Sequence, residues 1–331
     1  MASTNGNESP SILSIYEPVK DDLVRAEEHL RQVCQVGDFP LLSQLLDHAL
    51  KNAGKQVRPA LTLLCSKFHP YEHNLPVVMA TAIELLHIAT LIHDDTVDNS
   101  SLRRGKPTIS SLFGKDTAVL IGDYVFAKSA TVVCDTGNVK VIRRFAETIM
   151  ALSSGELRER VTAFDWRQTR ENYYNRIDDK TASLFSVATE SGAILSGVPE
   201  NVSDAFRAYG HNLGMAFQVI DDILDFQGSE DVVGKPVGSD LLQGVLTLPA
   251  IMLAERYPKE NPIKMVFEDK DNQPQLKKTV GMIRDSGIID EAFGVARGFC
   301  EKARDSIKDL PQSPARTSLV DLTEYVLERK K

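Results

Sequence analysis

Leu75 to Asp98 reads LPVVMATAIELLHIATLIHDDTVD, and this stretch decides the fold. The segment is mostly apolar from Leu75 to Ile92, then meets acid at Asp94, Asp95 and Asp98. Its length approaches that of a membrane span, but Pro76, Glu84 and His87 interrupt it and it runs straight into carboxylates. A helix buried on most of its sides inside a large bundle fits it better. Outward from it, helical spacing covers Ile12–Val36, Leu41–Lys51, Pro59–Phe68, Val77–Asp98, Thr117–Val133 and Val139–Thr162. It continues through Arg167–Ser196, Ser203–Phe226, Thr247–Arg256, Pro274–Ser286, Ile288–Lys308 and Ala315–Lys331. No alternating segment of strand length and no fixed-period repeat interrupts this pattern. Tyr257 to Gln273, polar, charged and Pro-containing, reads as a surface connection. The expectation is an all-α chain: a disordered segment at 1–10, then a single helical domain over 11–331 around a central cavity.

A second pentad repeats the first. Asp221-Asp222-Ile223-Leu224-Asp225 closes another apolar run that begins near Leu213. On a helix the first and fifth residues of such a pentad share a face, one turn apart. Like charges so placed weaken a helix by roughly 0.2–0.5 kcal/mol per pair, and Asp is a poor helix former. Two solvated acidic helix ends would be the plain alternative for either cluster alone. A cost accepted twice in the same form points to a ligand that offsets it. Mg²⁺ suits, since it prefers carboxylate oxygen and keeps positions open for phosphate.

Composition excludes other classes. A net charge of −8 argues against a nucleic-acid surface, which demands a basic footprint. The four cysteines, Cys34, Cys65, Cys134 and Cys300, form no CxxC pair. They read as buried free thiols in a reducing compartment rather than a zinc site or disulfide framework. Met1 to Pro10 lacks the cationic-then-apolar order of a signal peptide, so a cytoplasmic location is expected.

Cationic residues flank the first cluster. Arg103-Arg104 lies just beyond it, and Gly54-Lys55-Gln56-Val57-Arg58-Pro59 lies upstream. Guanidinium groups there would repel a metal but attract its anionic ligand, since they bond phosphate oxygens in pairs. His87 precedes Asp94 by two helical turns and shares its face. His69, His73 and His211 lack that alignment and read as structural.

Taken together, these residues resemble the trans-isoprenyl diphosphate synthases, the head-to-tail prenyltransferases. The resemblance runs through Gly54–Pro59, His87, both Asp-rich motifs, Arg103-Arg104, Gly155-Glu156, Asp179-Lys180-Thr181, Gln218 and Gly234-Lys235-Pro236-Val237-Gly238-Ser239-Asp240. Gln56 and Val245 depart from it, standing where many members have arginine and lysine; glutamine also occurs at the first in resembling long-chain synthases. The last hundred or so residues carry no usable motif.

The resemblance implies the isoprenoid synthase fold and a set of roles. Asp94, Asp98 and Asp221 would bind three Mg²⁺ with the allylic diphosphate, with Asp222 and Asp225 further back. Arg103, Lys180 and Lys235 would add positive charge to the same diphosphate. Lys180, Thr181 and Gln218 would be catalytic, the last two steadying the allylic carbocation. Lys55, Arg58, His87 and Arg104 would hold isopentenyl diphosphate, which needs no ionisation and hence no metal. A homodimer is implied, without a transmembrane segment but with peripheral membrane contact for product release. A terpene cyclase, a silent partner subunit and a metal-binding structural bundle are the competing readings. Intact acidic pairs with accompanying cations speak against all three.

For product length the resemblance looks one turn before Asp94. Ala89 and Thr90 are small, so no aromatic blocks the tail there, and Phe145, on one face with Ile149 and Leu152, is the candidate floor. One turn, about 5.4 Å, matches one isoprene unit. A C30–C50 product is favoured over C20 geranylgeranyl diphosphate.

Overall fold

The computed structural model describes residues 11–51, 54–70, 74–227, 237–269 and 272–329. Helices α1 (Ile12–Tyr16), α2 (Lys20–Val33), α3 (Pro40–Leu50) and α4 (Val57–Ser66) lead to the long α5 (Leu75–Val97). A short hairpin, β1 (Leu102–Arg103) with β2 (Lys106–Pro107), precedes α6 (Ile109–Phe113), α7 (Lys115–Cys134) and α8 (Val139–Val161). Next, α9 (Arg170–Ile177) runs through a π-helical segment, Asp178–Ala182, into α10 (Ser183–Ser196). The chain continues with α11 (Glu200–Gln227), α12 (Ser239–Leu242), α13 (Leu248–Arg256) and α14 (Pro262–Glu268). It ends with α15 (Gln273–Asp285), α16 (Ile288–Ser306) and α17 (Pro314–Leu327).

Two apolar cores are joined by α10. Phe185 and Ala193 pack with α4, α11 and the C-terminal helices, while Leu184, Val187 and Leu195 pack with α5, α7 and α8. A helix apolar on every side belongs in an interior, and α10 is the wall between both cores. By length and composition α5 and α7 are each long and apolar enough to cross a membrane. In α5, however, 72% of the most apolar window is buried against the other helices, as the embedded acids lead one to expect of a core helix.

The structure corrects several expectations. Within Tyr257–Gln273, α14 buries Pro262, Ile263, Val266 and Phe267, so that stretch is partly core. Helix Arg167–Ser196 is interrupted by the π-helical segment, and Ile12–Val36 is broken at Glu17–Val19 by a turn of 3₁₀ helix containing Pro18. Cys134 is exposed, whereas the other three thiols are buried; all four are free. The segment 1–10, His73 and Lys235 lie outside the described residues.

Candidate active site

The two acidic helix ends contribute to one cavity of about 480 Å³, lined also by Arg103 and Arg104 of the β1–β2 hairpin and by Arg329 beyond α17. On one side, Asp94 occupies the last turn of α5 and lines the cavity; Asp98 caps that helix at the exposed rim, its N–H donating to the Asp94 carbonyl at 2.8 Å. Burial, with Glu156 nearby, pushes the Asp94 carboxyl up to about 7 against the pull of Lys180. Asp95 is buried and turned to the hairpin, where Arg103 Nε donates to both of its oxygens at 2.9 and 2.8 Å. That arginine thus reaches the cavity wall on a fixed stem.

The hairpin turn separates the two arginines. Its central residues, Arg104 and Gly105, both have positive φ (51° and 75°), as a two-residue I′ turn requires. Arg104 crosses to Gly54, where an added Cβ would lie 2.5 Å from the guanidinium; glycine is the residue that leaves room. Next to it, Arg58 Nη1 lies 3.2 Å from His87 Nε2, and the guanidinium sits 4.7 Å above the Phe185 ring. Burial and the Arg58 and Arg104 charges hold His87 well below the ordinary imidazole range, so it is a neutral acceptor for Arg58. Lys55 stands at the exposed mouth, donating to Tyr325 Oη at 2.9 Å. Behind them Glu84 is 3% exposed; burial raises it to about 6, and Arg58 and Arg104 oppose that rise.

On the facing side α11 divides its three acids. Asp221 lines the cavity and accepts from Arg329 Nη2 at 3.3 Å. Asp222 accepts from Tyr173 Oη at 2.6 Å and Gln218 Nε2 at 2.8 Å. Asp225 ties down the start of α12 through Ser239 Oγ at 2.8 Å and the Asp240 N–H at 3.3 Å. Burial pushes Asp222 up to about 7 despite those donors and Arg176, and holds Asp240 well above the carboxylate range, with Asp225 and Asp222 adding to it.

The π-helical segment forms the wall between the two sides. Gly155 on α8 and Gly214 on α11 let both helices approach it. An added Cβ would lie 3.1 Å from the Lys180 nitrogen in the first case and 2.6 Å from Ala182 Cα in the second. Lys180 Nζ therefore reaches Glu156 at 2.8 Å and Glu159 at 2.7 Å. Burial alone would pull that ammonium down, but Glu159, Glu156 and Asp94 reverse the effect and keep it charged. Thr181 Oγ1 donates to Gln218 Oε1 at 2.7 Å.

The cavity gathers Arg58, His87, Thr90, Asp94, Arg103, Arg104, Lys180, Thr181, Gln218 and Asp221. Lys55, Asp98, Asp222 and Asp225 are not among its lining residues, the first two being exposed and the last two buried. Thr90 lines the cavity while Ala89 is fully buried beside it; Phe145 lies buried beyond Ile149 and Leu152. His69 and His211 hold structural contacts, with the Ser196 carbonyl at 2.8 Å and Asp178 at 3.1 Å. Sequence reading missed Arg329, Glu84, Glu159 and Tyr173. Arg329 follows α17 and lies 3.9 Å over the Phe217 ring, with no motif to announce it. Glu84 carried one signal, an acid in an otherwise apolar helix.

An all-helical bundle whose cavity has two acidic helix ends and a ring of guanidinium groups defines a protein of the isoprenoid synthase type. The chain matches the polyprenyl synthetase family model over residues 39–283 and belongs to that family. It is 35% identical to heptaprenyl diphosphate synthase component 2 of Bacillus subtilis over 95% of this chain and 90% of that one. It is 36% identical to chloroplastic solanesyl-diphosphate synthase 2 of Oryza sativa, over 96% and 80%. Among solved structures, heptaprenyl diphosphate synthase from Staphylococcus aureus superposes with a TM-score of 0.90 at 35% identity, over 95% and 99% of the two chains. Polyprenyl synthase from Caulobacter crescentus, complexed with calcium and isoprenyl diphosphate, gives 0.91 at 28% identity, over 98% and 100%.

Proposed function

We propose that this chain condenses isopentenyl diphosphate with an allylic diphosphate, head to tail (1′-4), to give a trans-polyprenyl diphosphate of about C30–C50. One observation carries the reading: the cavity has two chemically distinct ends. Asp94 and Asp221 line it with Lys180 on the acidic side; Arg58 and Arg104 gather on the other with Glu84 behind them, and Arg329 reaches across to Asp221 at 3.3 Å. There, Arg58 Nε and Arg329 Nη1 are buried without a hydrogen-bond partner among the described residues, an arrangement a diphosphate oxygen would satisfy.

The acidic end fits a hard divalent cation. Its donors are carboxylate oxygens, and burial raises Asp94 as a cation would reverse. Among the described residues no three acids form a finished cage, so substrate oxygens would have to complete the coordination. Asp94, Asp98 and Asp221 would hold Mg²⁺, three ions on the family pattern, and bound metal would neutralise the leaving diphosphate. Lys180 and Arg103 add fixed charge to that group. The allylic C–O bond breaks to a cation and diphosphate. Thr181 and Gln218 face the cation, and the isopentenyl double bond, held by Lys55, Arg58, His87 and Arg104, attacks it. The proton lost afterwards passes to the released diphosphate. The tail runs toward Thr90, Ile149 and Leu152.

The assembly we favour is a homodimer through α7 and α8, where Leu120, Met150, Leu157 and Val161 are 64–85% exposed. A second kind of subunit is the competing occupant, since two relatives are named component 2. Diphosphate release should require Mg²⁺ and an allylic substrate, with isopentenyl diphosphate giving chromatographically longer products. Release without elongation would instead assign a cyclase or hydrolase.

A further inference from the structure

The wall at Thr181 is held by a hydrogen-bond chain that begins on Tyr173, a residue outside the roles given above. Tyr173 Oη donates to Asp222 Oδ2 at 2.6 Å, Gln218 Nε2 donates to Asp222 Oδ1 at 2.8 Å, and Thr181 Oγ1 donates to Gln218 Oε1 at 2.7 Å. These directions are not interchangeable. A carboxylate only accepts, and Tyr173 and Gln218 each donate to one of its oxygens, which makes Asp222 the accepting end. Gln218 must then turn its amide nitrogen to Asp222, which leaves its oxygen for Thr181. Thr181 must spend its single proton on that oxygen. Only lone pairs of Thr181 Oγ1 remain for the cavity, which this residue lines.

We propose that Tyr173 and Asp222 are positioning residues that set the polarity of this chain, so that Thr181 presents an acceptor to the developing allylic cation. The inference rests on the prenyl transfer proposed above and adds a reason for the second acid of the second cluster. A hydroxyl turned the other way would aim a partial positive charge at the cation it has to stabilise. Asp222 is free to serve here because it is 3% exposed and both its oxygens are already engaged. Gln218 and Asp222 stand four apart on α11, the spacing at which two side chains on a helix meet. Tyr173, itself fully buried, closes the far end.

The test is Asp222→Asn, which keeps the shape but can offer a donor to Gln218 and so release the amide and the Thr181 proton. Its kcat should fall about a hundredfold, the scale for losing one preorganised dipole. KM for both substrates and half-saturating Mg²⁺ should stay within about twofold. Thr181→Val alone should cost about as much, and added to Asp222→Asn should cost under about threefold more, since both remove one acceptor. Tyr173→Phe should lower kcat about tenfold by the same reasoning, and a cycle of Tyr173→Phe with Thr181→Val gives the same test if Asp222→Asn fails to fold. A tenfold shift in half-saturating Mg²⁺ would make Asp222 a metal ligand and overturn the proposal, as would additive losses in the cycles. If the unmodified protein forms no prenyl diphosphate, the functional reading fails instead.

Discussion

Asp94 ties the charge of the cavity to the stability of the fold. In the metal-free protein its carboxyl keeps a proton up to about pH 7, whereas in an unfolded chain it ionises near pH 3.9. The native state therefore binds more protons between those values, and stability falls as pH rises through that window. Asp94→Asn should abolish turnover yet stabilise the metal-free protein at pH 8 by about 1–2 kcal/mol, discounted for partial exposure. The gain should vanish near pH 4, and urea unfolding at both pH values checks this. Arg104→Ala should raise KM for isopentenyl diphosphate more than for the allylic substrate, with Arg103→Ala biased the other way; equal shifts would erase the division of the arginines. Glu84→Gln should raise KM for isopentenyl diphosphate about five- to tenfold, because Arg58 and Arg104 lose the buried charge that gathers them. Sequence disclosed the acids and arginines because their chemistry is local. Glu84 and Arg329 stayed hidden because their meaning lies in neighbours far along the chain.

At the scale of elements, apolar periodicity located the long helices but not the π-helical segment. Its extra residue per turn is invisible in composition, and so is the close approach of α8 and α11 that Gly155 and Gly214 permit on either side of it. The hairpin was equally hidden, since two-residue strands leave no alternation to read. Helix α5 carries the product-length prediction. Thr90 faces the cavity and Ala89 is fully buried against its surroundings, so Thr90→Phe is the cleaner barrier. It should shorten products towards C15. Ala89→Phe should shorten them too but cost about 1–3 kcal/mol through overpacking. Phe145→Ala should lengthen them. Chromatography of the dephosphorylated products decides, and mainly farnesyl product from the unmodified chain would rule out a tail path past Thr90.

At the scale of the molecule, α7 and α8 leave apolar side chains uncovered. Sedimentation at micromolar concentration should give a dimer, and Leu157→Glu should yield monomers whose catalytic cavity is still formed. A monomer from the unmodified chain would reject that assembly. The cationic pocket, meanwhile, draws on residues from opposite ends of the sequence: Lys55 bonds Tyr325, 270 positions later, and Arg329 settles over Phe217. This bears on the order in which the pocket comes into being. At a synthesis rate of about 5–20 residues per second, Lys55 waits tens of seconds for its partner. The cationic pocket is thus a product of the finished fold rather than of any local stretch of chain.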